Sequence, residues 1–486
     1  MTSFARFLDL HPAYAGTKLL DALRAAEYSR VDAQGHAYLD YTGAALHADS
    51  QIREHADLLG GHVFGNPHSA NPSSTAMTHA VERARAAVLA YFNGNGDYTA
   101  VFTLNASGAL KLVAESYPFG PGGRFLLLAD NHNSVNGIRE FAQAKGAHVD
   151  YAPLTVPELR ADRPALTELL DKADRTRANL FAFPAQSNFS GVKHPLSLIE
   201  AARERGWQVL LDAAAFVPTN RLDLRIVTPD FVAVSFYKMF GYPTGVGCLL
   251  IRNAALPGLR RPWFAGGTVN FATVQGRLHV LAPGEAGFED GTLNFQSIPA
   301  VEIGIRHLER IGMETIRTRV ECLTDWLIAE LLALRHSNER PMVRIYGPGT
   351  TTMRGGTVTI NFYDPNGHLL DYRRIEELAG LEQISLRTGC FCNPGAGETA
   401  EGLTEEDMRA GMAQGKDITL PRFLQVMQQR GGKSAGAIRV SLGLVSNFAD
   451  VERFVQFAAG FRDQTTLTIG AVSFDIESCR VIRDGS

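Results

Sequence analysis

Cysteine is scarce: 486 residues contain five (Cys248, Cys322, Cys390, Cys392 and Cys479), odd in number and irregularly spaced. That pattern argues against a disulfide framework and for reduced thiols. Charge is nearly balanced, 47 basic against 51 acidic residues for a net charge of -4. Without a basic excess there is no electrostatic footprint for nucleic acid or for an anionic membrane surface. No apolar run reaches the roughly 18 residues that a membrane span needs. The first residues, Met1-Thr2-Ser3-Phe4-Ala5-Arg6-Phe7-Leu8-Asp9, lack the long apolar core and cleavage site of a signal peptide. We therefore expect a cytoplasmic protein whose partner is a small molecule or another protein. The rest is ordinary for a globular chain, 45% hydrophobic and 20% charged, long enough for two or more domains.

The hydrophobic pattern organises the chain. Residues 1 to about 30 read as helix, with Leu19, Leu20, Leu23 and Ala26 on one face, and Ala37 to Tyr41 as a short strand entering a turn at Gly43. A turn-rich stretch, Gly65 to Ser74, precedes a helix from Thr75 to about Phe92, capped by Ser74 or Thr75. From Thr99 to Ile251 strands alternate with segments of crossover length: Thr99–Thr103, Arg124–Ala129, His148–Tyr151, Asn179–Phe183, Gln208–Asp212, Phe231–Phe236 and Gly247–Ile251. This predicts an α/β fold with a mostly parallel seven-stranded sheet and helices on both faces.

On such a sheet, functional residues collect after the carboxyl ends of the strands. Small residues follow the first strand at Asn105-Ala106-Ser107-Gly108, where a helix N-terminus offers backbone donors to an anion such as phosphate. After the second comes His132, suited either to lie on an aromatic ligand or simply to bond a turn. Gln186-Ser187-Asn188 follows the fourth, with amides and a hydroxyl suited to a polar ring substituent or to a structural turn. Asp212 ends the fifth, and a carboxylate there needs a cationic or hydrogen-bonding partner. The sixth runs into Ser235-Phe236-Tyr237-Lys238, trailed by Gly241, Pro243 and Gly245, which read as forbidding a helix and place Lys238 at the ligand-binding edge, a solvated lysine in a hairpin being the plain alternative.

The order of phosphate loop, histidine, asparagine, aspartate and Ser-x-x-Lys resembles that of pyridoxal-phosphate enzymes of fold type I, within the class V aminotransferase group that includes cysteine desulfurases. The resemblance implies that Lys238 holds the cofactor as a Schiff base, Asp212 keeps the pyridine nitrogen protonated and His132 stacks on the ring. It also implies that Asn188 bonds the ring hydroxyl and that Ala106, Ser107 and Ser235 meet the phosphate. Tyr237 stands beside the cofactor where desulfurases carry histidine, and Ala215 where many carry a polar side chain. Thr292, in Glu289-Asp290-Gly291-Thr292-Leu293-Asn294, resembles the residue that reaches the phosphate of a neighbouring subunit, which implies a homodimer.

Past Ile298 helical patterns run to about Arg335, with Ile305, Leu308 and Ile311 on one face. Strands at Val343–Tyr346, Val358–Phe362, Ile384–Thr388 and Ile438–Ser441, with helices near Tyr372–Leu381 and Asp450–Phe461, predict a small α+β domain. The polar segment Thr404 to Gly432, with Lys416-Asp417 and Gly431-Gly432, reads as an insertion in it. The expected division is an N-terminal segment over 1–30 packing with the small domain, a large cofactor-binding domain over 31–300, and a small domain over 301–486 carrying Cys390 and Cys392.

Arg387-Thr388-Gly389-Cys390-Phe391-Cys392-Asn393-Pro394-Gly395 is the most specific local motif. No second Cys/His cluster stands by to complete a metal site, so no metal is expected, and a reactive loop thiol fits better. With Ser235 to Gly245 and Gly65-Asn66-Pro67-His68-Ser69, this motif resembles the N-terminal sulfurase domain of molybdenum cofactor sulfurases, from about Tyr38 to Phe454. Aligned on Arg-Thr-Gly, the desulfurase nucleophile falls on Cys392, and Arg439, with Arg387, takes the substrate carboxylate. The function implied is transfer of sulfur from L-cysteine to an enzyme persulfide with release of L-alanine. A sulfur-acceptor protein is a possible partner, and a C–S β-lyase, epimerase or aminotransferase of the same class is the alternative.

Overall fold

Apolar runs of five or six residues build the larger sheet: β1 (Tyr98–Thr103), β2 (Arg124–Leu128), β3 (His148–Ala152), β4 (Asn179–Pro184), β5 (Gln208–Asp212), β6 (Phe231–Ser235) and β7 (Gly247–Arg252). Every residue of β4 and β6 is buried, as strands covered on both faces require. In the computed structural model, which describes residues 2–413, 426, 434, 436–470, 473–475 and 480–482, the spatial order is β1-β7-β6-β5-β4-β2-β3. Only β7 runs antiparallel to its neighbours β1 and β6; the remaining pairs are parallel. The segment from Ser235 to Gly247 is too short for a crossover, so β7 turns straight back. The carboxyl ends of β2, β4, β5 and β6 therefore share one edge.

That turn is where one expectation is corrected. Lys238 sits in a helix, Phe236–Phe240, rather than in an open hairpin. The glycine and proline only stop the helix: Gly241 ends it at φ 79°, and Pro243 lies beyond. The helix expected from Thr75 begins at Pro72 and is capped by Asn71, whose side chain accepts from the Ser74 amide. Proline at the first turn has no N–H to waste, so the start moves upstream of Ser74. The first thirty residues are not one helix but Ser3–Leu10, a 3-10 turn at Pro12–Thr17, Leu19–Glu27 and Arg30–Ala33. Pro12 forces the first break.

A second, four-stranded antiparallel sheet holds β8 (Val343–Tyr346), β9 (Thr357–Phe362), β10 (Arg387–Gly389) and β11 (Ala437–Ser441) in the order β8-β9-β11-β10. The strand expected over Ile384–Thr388 is split. Ile384–Ser385 pairs in parallel with Ala37–Tyr38, and only from Arg387 does the chain pair with β11. The helical region after Ile298 is likewise two helices, Pro299–Ile311 and Met313–Ala333, separated by Gly312 at φ 84°. Tyr372–Leu381 is helical as expected, and the last long helix runs Phe448–Ala459. The Thr404 segment opens with a helix, Glu405–Met412, while Lys416-Asp417 and Gly431-Gly432 lie outside the described residues. Phe7 packs among Tyr14, Trp326 and Phe448, and Arg24 bonds Asp450 and the Val445 carbonyl, tying the chain start to the later helices. No helix among the described residues is long and apolar enough to cross a membrane.

Gly241 offers a direct check of the turn behind Lys238. A Cβ there would lie 2.4 Å from the His47 amide nitrogen and 2.5 Å from the Leu46 carbonyl carbon, and its φ disfavours any L side chain. Gly241→Ala should lower stability by about 2–4 kcal/mol in urea denaturation. A loss below about 1 kcal/mol would contradict this packing.

Candidate active site

The strand ends enclose a cavity of ≈ 160 Å³ lined by Ala106, Ser107, His132, Asn188, Asp212, Ser235, Tyr237 and Lys238. These residues come from five separate connections and span 132 positions of sequence. Burial holds the Lys238 ammonium below the ordinary lysine range; Asp212 opposes the shift, while Arg439 and Arg387 add to it. His132 is also lowered, first by burial and then by Lys238 and Arg439 against the opposing Asp212. A neutral imidazole results. Its Nδ1 accepts the Ser134 amide at 3.1 Å, so the ring proton belongs on Nε2. His132 thus caps a turn, one of the two roles expected of it, and its ring also lines the cavity. Asp212 is held by the Ala214 amide, 3.0 Å from Oδ1.

One wall is the N-terminus of the helix Ala106–Ser116. Asn105 caps it by accepting from the Gly108 amide at 2.9 Å, and Ser235 Oγ accepts from the Ala106 amide at the same distance. The Ser107 amide has no protein acceptor among the described residues. A helix N-terminus with an unused N–H attracts anions. Ser107 Oγ and Ser134 Oγ lie 2.6 Å apart, so two hydroxyls share this wall. Gly247 lets β7 come this close, since a Cβ there would sit 2.5 Å from the Asn105 backbone.

The Cys392 loop is fastened to the same edge. Phe391 and Cys392 both take left-handed φ values, 55° and 54°. The Asn133 amide donates to the Cys392 carbonyl at 2.7 Å, and Asn188 Nδ2 to the Phe391 carbonyl at 2.7 Å. Asn393 Nδ2 reaches the Asp130 carbonyl at 2.7 Å and Asn188 Oδ1 at 2.9 Å. Asn393-Pro394-Gly395 is therefore a helix start, capped by Asn393, rather than a free turn. Gly395 must be glycine, because a Cβ would meet the Ala129 carbonyl oxygen at 2.1 Å. Phe391 is buried while Cys392 is exposed. The backbone is clamped and the thiol is exposed.

For three groups the structure adds to the sequence expectation. Asn188 lines the cavity, but both ends of its amide are engaged with the cysteine loop. Arg387 and Arg439 meet each other through Asp40 rather than lining the cavity wall. Thr292, expected to reach the phosphate of a neighbouring subunit, lines a neighbouring cavity of ≈ 290 Å³ with Thr103, Gly108, Trp263 and Asn294. Sequence reasoning missed Ser134, Gln186 as an individual lining residue, and Asp40. The first two sit in strand-end segments rich in polar residues; Asp40 sits at the end of a short strand before a glycine turn, a weak signal by itself.

The residues between 37 and 454 match the family model of aminotransferase class-V. A molybdenum cofactor sulfurase from Bos taurus is 37% identical over 490 residues, covering 94% of this chain and 54% of the relative. The chain spans about half the length of the curated relatives it matches. The solved cysteine desulfurase of Thermococcus onnurineus NA1 shares the fold with a TM-score of 0.74 at 22% identity, covering 91% of this chain and 97% of its own. A C-DES variant with glycine covalently linked to its pyridoxal phosphate has a TM-score of 0.68 at 17% identity, covering 90% and 98%. The cavity fits that cofactor: a lysine amine, a carboxylate, a neutral imidazole and a helix N-terminus with an unused amide are its chemical complements. This chain belongs to the aminotransferase class-V family and is a pyridoxal-phosphate-dependent enzyme.

Proposed function

We propose that the enzyme takes sulfur from L-cysteine as a persulfide on Cys392 and releases L-alanine. The observation that carries this reading is the clamp on the cysteine loop: Asn133, Asn188 and Asn393 fix its backbone beside His132 while leaving the Cys392 side chain exposed. A lyase or aminotransferase has no need of a thiol held at the edge of its site. The sulfurase and desulfurase names of its relatives point the same way.

Bound pyridoxal phosphate supplies an electron sink for bond changes at the amino acid. Lys238 Nζ would hold it, Asp212 would serve its ring nitrogen, and the Ser107 amide with the Ala106–Ser116 helix N-terminus would take its phosphate. Lys238, whose ammonium form is disfavoured by burial, is the group that moves the proton at the substrate Cα. Arg439 and Arg387 hold the substrate carboxylate. The Cys392 thiolate attacks the substrate sulfur: an S–S bond forms, the Cβ–S bond breaks, and Cβ takes a proton to give alanine. A mobile thiol can then carry the persulfide sulfur to an acceptor protein.

The working unit is proposed to be a homodimer. Thr292 and Trp263 line a cavity apart from Lys238, and the nearby hairpin Val269–Ala272 with His279–Leu281 exposes Phe271, Val274, Leu278 and Val280. An apolar surface of that kind favours burial against another chain.

Three outcomes follow. With cysteine as substrate, Cys392→Ser should lose alanine release and persulfide by about 100-fold or more, whereas Cys390→Ser should stay within about threefold. Equal turnover in both variants would move the assignment to the lyase or aminotransferase alternative. Borohydride reduction and peptide mapping should place the pyridoxyl group on Lys238. Because its folded pKa is lowered, the neutral amine prevails at lower pH than on a free lysine, so cofactor attachment should have a midpoint below the ordinary lysine value. Sedimentation should show a dimer, with cofactor lost on dilution to monomers; a monomer retaining full cofactor would refute the role of Thr292.

A further inference from the structure

Asp40 follows the short strand Ala37–Tyr38 and makes a parallel bridge to Ser441 at the end of β11. Its carboxylate accepts from Arg387 Nε at 3.0 and 3.2 Å, from Arg387 Nη2 at 2.7 Å and from Arg439 Nη2 at 2.9 Å. Arg387 and Arg439 are direct partners across the β10–β11 ladder. Like charges directly opposite repel, and the single carboxylate between them offsets that repulsion only in part. Two guanidinium groups and one carboxylate leave a cluster of net charge +1.

The packing is specific to this arrangement. Gly43 closes over the carboxylate so tightly that a Cβ would lie 2.4 Å from Asp40 Oδ2 and 2.8 Å from Arg387 Nη2. Arg439 is 3% exposed; its Nη1 donates to the Asn188 carbonyl at 3.2 Å, and its guanidinium lies over the Phe391 ring at 4.8 Å. Its Nε is buried with no hydrogen-bond partner among the described residues. An unmatched buried N–H is costly and marks where an acceptor from outside fits. Asn188 also lines the Lys238 cavity, so the cluster stands at the edge of the site.

We propose that Asp40 is a specificity-determining residue. By setting the arginine cluster to a net charge of one, it matches the site to a single substrate carboxylate and selects amino acids with one anionic group over those with a second. This rests on the reading of Arg387 and Arg439 as the carboxylate site.

The test titrates the holoenzyme with L-alanine and L-aspartate and follows the absorption of the bound cofactor, which reports binding whether or not sulfur is transferred. The wild-type protein should bind alanine about tenfold or more tighter than aspartate. Asp40→Asn should narrow that ratio by about fivefold or more, and Asp40→Glu, which keeps the charge, should stay within about twofold of wild type. Wild-type protein that binds aspartate as tightly as alanine overturns the proposal, and this comparison needs no variant to fold. An unchanged ratio in the Asn variant, or one lost equally in the Glu variant, overturns it too. Charge discrimination without alanine from cysteine would refute the desulfurase reading alone; alanine from cysteine without discrimination would refute this inference alone.

Discussion

The side chains that line the cavity of this fold collect where the buried strands of the larger sheet end. β4 and β6 are buried at every residue, so their lengths admit nothing that must be solvated. Because most of the sheet is parallel, the carboxyl ends of β2, β4, β5 and β6 deliver His132, Asn188, Asp212 and Lys238 to a single edge. Each connection contributes one or two side chains, and the sheet register fixes their spacing. The cavity is therefore a property of the sheet more than of any loop.

Charge is then distributed over short distances. Lys238 and His132 are both pulled toward neutrality by burial, and Asp212 opposes that pull in both. On the other side of Asn188, Asp40 ties Arg387 to Arg439. The positive charges of those arginines extend to Lys238 and help lower it. The ammonium form of the lysine is thus disfavoured first by burial and then by these two cations.

The second sheet closes the site by docking a loop. Asn393 bonds both Asp130 and Asn188, and the Asn133 amide meets the Cys392 carbonyl, so segments from the two sheets share one hydrogen-bond network. The close approach at Gly395 and Ala129 allows this. Left-handed backbone at Phe391 and Cys392 turns one side chain inward and leaves the next outside. Such strain persists only where surrounding contacts hold it.

The sequence by itself determined the seven strands, their mostly parallel order and the residues at their ends, because apolar runs and strand-end chemistry are local signals. Lys238, Asp212 and His132 could be placed at strand ends for that reason, and the structure brings them to one cavity. Local signals misplaced the helix start at Pro72 and missed the short helix at Phe236, where a proline or glycine acts on the end of a helix rather than against it. Only the tertiary structure decided that Asn188 would serve the cysteine loop, that Thr292 would face a separate cavity, and that Asp40 would join Arg387 to Arg439. Asp40 is separated from Arg387 by 347 positions and from Arg439 by 399. No periodicity reaches across such a span. The contact exists because the strand at Ile384–Ser385 breaks its pairing and hands the chain from Ala37–Tyr38 to β11, a choice made by the packing of two sheets.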